Sequence, residues 1–182
     1  MSDFPRNPAV PTHIHTFSKY MLGTPGHVLI GGANNVGNFS WQTNVAVYLP
    51  LYLPWPYNVR RVFWVNGANA TGNADVGIYT PGGTKLYSSG STGASGALVP
   101  QYVTPSPDLL LGAGPYFLAW TDDSTTSKAY GMDGTLVTAL IGRIAGLYQQ
   151  ATALPLPATM TPAAYAAVGA PMIGITNTDS GF

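Results

Sequence analysis

Residues 44–53 read Asn44-Val45-Ala46-Val47-Tyr48-Leu49-Pro50-Leu51-Tyr52-Leu53, with an aliphatic side chain at every odd position from 45 onward. The even positions carry Ala46, Tyr48, Pro50 and Tyr52. Side chains of an extended chain point alternately to opposite faces, so this order predicts a strand whose odd-numbered face lies on a core. Pro50 has no N–H to give to a ladder, which places it at a sheet edge or a bulge.

The pattern continues outward from this strand. Pro54-Trp55-Pro56 is a corner, and Asn58 to Asn66 is the next strand. Ala74 to Thr80 and Thr84 to Ser88 flank Pro81-Gly82-Gly83, the signature of a β-hairpin. Further strands are expected at Ala97–Val103, Tyr116–Thr121 and Ser127–Met132, with Gly- and Pro-rich turns between them. Strands at this spacing, without intervening helical periods, predict an all-β antiparallel β-sandwich over residues 26–134.

The two ends read differently. Residues 1–25 hold Pro5, Pro8, Pro11 and Pro25, and residues 135–182 hold Pro155, Pro157, Pro162 and Pro171. Proline removes backbone donors, so the expectation is an extended N-terminal arm and a C-terminal extension lying on the sandwich or on neighbouring subunits. Within 135–150, Leu136, Leu140, Ile144 and Leu147 have helical spacing. Gly142 and Gly146 each cost about 1 kcal/mol inside a helix, which favours irregular or extended structure.

Composition narrows the function. Only 8% of the 182 residues are charged, with no Glu, and the formal net charge is zero. A typical soluble domain has about 25%. So neutral a chain has little to keep copies apart, and much of its surface is expected to be covered by neighbours. The absence of basic clusters argues against nucleic acid, whose affinity rests on neutralised phosphates. No apolar run is long enough to span a membrane as a helix. The opening MSDFPRNPAVPTHIH lacks the basic and apolar regions of a signal peptide, so synthesis in a cytoplasm without export by that route is expected.

Motifs for catalysis are absent: no Cys, no G-x-S-x-G, no HExxH and no P-loop. A non-enzymatic protein without a cofactor is expected. Asp75, Asp108, Asp122, Asp123 and Asp133 follow no calcium-loop pattern and read as turn caps. His13 and His15 would share one side of an extended segment; they are weak metal candidates, and only on the axis of an oligomer. Aromatic rings stack on sugars and anchor protein interfaces. Trp64 and Trp120 read as core, whereas Trp55, Tyr57, Tyr52 and Arg60 are the candidates for an interface or a glycan-stacking rim.

Three stretches carry a resemblance: NVRRVFWVNGANATGNADVGIYTPGGTKLYSSGST (58–92), LLLGAGPYFLAWTDDST (109–125) and GLYQQATALPLPAT (146–159). They resemble bacteriophage virion proteins, over roughly residues 45–176, and share features with carbohydrate-binding modules. The resemblance implies a jelly-roll-like sandwich in a tail or adsorption component, a head fibre or a capsid decoration. It implies assembly with other virion proteins, a homo-oligomer with a trimer favoured, localisation in the virion and, as an alternative, recognition of host cell-surface polysaccharide. It brings no catalytic residues.

Overall fold

The computed structural model describes residues 13–15, 36–126, 128–133, 146–151, 153–166 and 169–177. Every helix or strand among them is a β-strand, so none is a helix that could cross a membrane. In chain order the strands are β1 (His13–His15), β2 (Val36–Ser40), β3 (Ala46–Leu53), β4 (Tyr57–Val59), β5 (Arg61–Val65) and β6 (Asn73–Tyr79). Next come β7 (Lys85–Ser88), β8 (Thr92–Gly93), β9 (Pro100–Val103), β10 (Leu109–Leu111) and β11 (Gly114–Asp122). The last are β12 (Lys128–Asp133), β13 (Tyr148–Gln150), β14 (Ala163–Ala164), β15 (Gly169–Pro171) and β16 (Ile173–Thr176).

All pairings are antiparallel. One layer is a seven-stranded sheet in the order β14-β13-β3-β11-β6-β7, with β8 also on β6. Facing it are a four-stranded sheet, β1-β16-β5-β9, and a three-stranded sheet, β15-β12-β2. Met172 joins these two: its N–H donates to Tyr130 O, and its carbonyl accepts from Val65 N. The pair β10-β4 closes one end.

The strand at 44–53 behaves as its alternation demands. Val47, Leu49, Leu51 and Leu53 enter the main core with Val62, Trp64, Ile173 and Ile175 from the opposite layer. Trp64 and Trp120 are buried there too, and Trp120 meets Trp41 edge-on at 5.6 Å. Pro50 pairs with Phe117 on β11, but β13 runs alongside β3 only as far as Tyr48. One flank of Pro50 is therefore locally an edge, where a missing N–H disturbs no ladder. The hairpin is present as β6 and β7, whereas the strand expected at 58–66 is broken at Arg60 into β4 and β5.

The ends contribute strands. Residues 13–15 lie antiparallel to β16 at the edge of the four-stranded sheet. Between residues 146 and 177 the chain supplies β13 to β16, and β16 lies between β5 and β1. Most of the segment with ambiguous helical spacing, residues 134–145, lies outside the described residues.

Among the described residues Tyr48, Tyr57, Tyr79 and Tyr165 are sealed from solvent. Burial pushes the Tyr48 phenol up to about 12 and the Tyr57 phenol up to about 12, a backbone hydrogen bond to Asn177 opposing the shift of Tyr57. Burial also raises Tyr79 far above its ordinary range, with Tyr48 adding to the effect. The folded state then holds protons that the unfolded chain releases near pH 10, so stability falls as pH rises through that value and on towards pH 12. Unfolding midpoints measured across this window should drop steeply and together with the appearance of tyrosinate absorbance; a flat profile would show these phenols to be solvated.

Candidate functional site

The outer face of the seven-stranded sheet is divided in two. Cross-strand register puts Ala46, Tyr48, Pro50 and Tyr52 of β3 on this face, beside Ala119, Phe117 and Pro115 of β11 and Gln150 and Tyr148 of β13. Over one half lies the segment 153–160, here called the strap. Ala153 and Leu156 pack with Ala46, Tyr48, Tyr79 and Ala119 in a second buried cluster.

Hydrogen bonds hold the strap down. Tyr79 Oη donates to Pro157 O (2.6 Å), Lys85 Nζ to Leu156 O (2.6 Å), Lys85 N to Ala158 O (2.9 Å) and Met160 N to Gly83 O (2.8 Å). Beneath it Asp75 is 0% exposed. Its carboxylate accepts from Ser88 Oγ (2.8 and 2.7 Å), Ser89 Oγ (3.0 Å) and Leu156 N (2.9 Å). Asp75 is therefore an internal anchor and not the turn cap its sequence setting suggested. Asp122 does fit the turn-cap reading, its Oδ1 accepting from Ser124 N two residues on, whereas Asp123 accepts across strands from Asn73 N and Nδ2, which holds its carboxyl below the usual range. Gly77 lets Leu156 come close, since a Cβ there would sit 2.8 Å from Leu156 Cδ1 and 2.7 Å from Tyr87 O.

Over the other half the described residues lay no such strap. Tyr52 is 59% and Tyr148 38% exposed, and Phe117 meets Tyr148 edge-on with ring centroids 5.9 Å apart. With Pro50 and Pro115 these rings form an uncharged ledge whose boundary is Phe117 and Met160, half-buried against the strap cluster.

A second surface is built by a polar network. Trp64 Nε1 donates to Asn66 Oδ1 (2.8 Å), and Asn66 Nδ2 donates to Ser95 O (2.7 Å) and Gln101 Oε1 (3.0 Å). Gln101 Oε1 also accepts from Ser95 N, and Gln101 Nε2 donates to Gly93 O. The loop before β9 is thereby moulded so that Leu98 adopts φ +58° and is 54% exposed. Leu98 N donates to Gly67 O (3.1 Å), and Val99 O accepts from Asn66 N (3.1 Å). A leucine in the left-handed region is strained, and such strain is retained where its setting fixes it. Val99 and Tyr102 are exposed beside it, and the Arg61 guanidinium lies over the Tyr102 ring at 4.7 Å.

The residues singled out from sequence separate. Tyr52 is on the ledge. Tyr57 is not on a rim: it is 1% exposed, because β4 turns its odd residues inward with Val59. Trp55 is half-buried at the corner after β3, and its buried Nε1 has no hydrogen-bond partner among the described residues. Arg60 sits between β4 and β5, with Nε 3.5 Å from Asp108 Oδ2, which also accepts from Asn58 Nδ2. His13 and His15 pair through their backbones with Thr176 and Gly174. Among the described residues no group of three His, Cys, Asp or Glu gathers to hold a metal. Phe117, Tyr148 and Leu98 were not singled out; only the alternation in 116–121 offered a signal, and it did not say which face would be covered.

Comparison with protein-family models, curated proteins and solved structures gave no match in any of the three.

Proposed function

We propose that this chain is a non-enzymatic structural subunit of a bacteriophage virion, joined to copies of itself and to other virion proteins through exposed apolar surfaces. The observation that carries the reading is Leu98, held in a left-handed conformation with its side chain outward beside Val99 and Tyr102. Arg61 lies beside these side chains, with its guanidinium over the Tyr102 ring at 4.7 Å. Exposed apolar anchors beside an arginine held on an aromatic ring favour subunit association. The virion setting comes from the resemblance of residues 58–92, 109–125 and 146–159, and a trimer is the expected assembly.

Leu98→Asp and Tyr102→Asp test this. Aspartate tolerates the left-handed region, and both sites are exposed, so the variants should fold with unchanged unfolding midpoints. When they replace the parent chain during infection, their abundance in purified particles should drop at least tenfold, and the isolated chain should lose self-association by light scattering. Incorporation at the parent level by both variants would defeat the proposal.

A further inference from the structure

We propose that the ledge on the outer face of the seven-stranded sheet binds a neutral glycan. This inference stands apart from the assembly reading, because the ledge and the Leu98 loop belong to different sheets.

Three features identify the ligand class. The first is shape. Tyr148 on β13 stands opposite Tyr48 and Phe117 on β11 opposite Pro50, their rings meeting edge-on with centroids 5.9 Å apart, and Tyr52 follows two residues beyond Pro50 along β3. The rings therefore stand on a rigid, open face, which suits the flat C–H faces of sugar rings. The second is charge. The outward residues of β3, β11 and β13 include no ionisable group other than phenols. An acidic polysaccharide would find no cation there, and a basic partner no anion.

The third is a fixed polar group. Gln150 Oε1 accepts from both Tyr48 Oη (2.9 Å) and Thr161 N (2.8 Å). A backbone N–H can only donate, so this assignment of the amide oxygen is unambiguous. The Gln150 side chain is thus held by its oxygen, and its Nε2 presents two N–H donors that bond to no described residue. Tyr148 lies two residues away on the same face of β13. Ring faces beside an oriented donor are the elements a hydroxyl-rich ligand needs: stacking for area, and a positioned polar group for orientation. A protein partner would gain from the rings but has no comparable need for the fixed amide.

The test uses the full chain and titrations with chito-, cello-, malto- and manno-hexaose, with polygalacturonate oligomers as the acidic comparison. Binding of at least one neutral hexaose is expected, insensitive to added salt. Tyr52→Ala and Tyr148→Ala should each weaken it at least tenfold. Gln150→Glu keeps an oxygen for Tyr48 and Thr161 but removes the N–H donors, and should also weaken it about tenfold. Leu86→Ser, exposed on β7 at the sheet edge opposite β13 and β14, should leave it unchanged. The proposal is overturned if no neutral hexaose binds, if binding is confined to the acidic oligomers and fades with salt, or if the ledge variants bind like the parent. Loss of particle incorporation by Tyr52→Ala and Tyr148→Ala without any glycan binding would make the ledge a protein interface instead. Failure of the Leu98→Asp test would leave these outcomes untouched.

Discussion

Gly131→Ala is expected to destabilise the protein by about 3–5 kcal/mol, at the upper end of single-substitution effects. Gly131 lies on β12, opposite Pro171 of β15 and Gly37 of β2. A Cβ at this position would collide with Ala170 O and approach Pro171 Cα and Met172 N to 2.9 Å. All three are backbone atoms, so no rotamer change relieves the contact. The glycine is required by close packing and not by an unusual φ. Gly37→Ala is the matched control, because nothing lies within 4 Å of an added Cβ there. It should change stability by less than about 0.5 kcal/mol. Denaturant midpoints of the two variants check the pair: similar midpoints would contradict the packing of β15 against β12.

Asp75→Ala is expected to cost about 3 kcal/mol or more and to loosen the strap. It leaves the Leu156 N–H and the Ser88 and Ser89 hydroxyls without their shared acceptor, and each buried donor so abandoned costs about 1–3 kcal/mol unless it finds another partner. Asp75→Asn should be milder, about 1–2 kcal/mol. Its carbonyl can still receive Leu156 N, while its amide faces serine hydroxyls, which can rotate to accept. Limited proteolysis reports the second half of the expectation: Asp75→Ala should be cut within residues 151–160 well before global unfolding. Cleavage at the parent rate would mean that the strap is held by other contacts alone.

The fold was legible where local pattern and burial coincide. The odd positions of 45–53, the hairpin at 74–88 and the alternation through Leu118 and Trp120 each point to one face of an antiparallel sheet, and those faces form the core. Reading the even positions of β3 was harder. Tyr48 and Tyr52 look equivalent in sequence, yet Tyr48 is sealed and Tyr52 is exposed. The difference is made by residues 153–160, about a hundred positions downstream, and no local period announces where a distant segment will lie. The same holds for Asp75, whose buried role depends on Leu156.

The candidate site was legible only in part. Tyr52 was identifiable as an outward residue of a strand. Tyr57 was not legible, because the corner Pro54-Trp55-Pro56 does not say which way the next strand faces, and β4 turns Tyr57 inward. Phe117 and Tyr148 join Tyr52 only through register across β3, β11 and β13. Leu98 was hidden for another reason. A leucine between Ala97 and Val99 reads as strand interior, and its left-handed φ is set by Asn66 and Gln101 from other elements.

The most direct measurement is a density map of the intact particle at a resolution that traces the backbone. The account predicts repeated copies of this chain in it, with the loop at Leu98–Tyr102 pressed against a neighbouring subunit. Particles that lack the chain, or copies whose Leu98 loop faces only solvent, would contradict it.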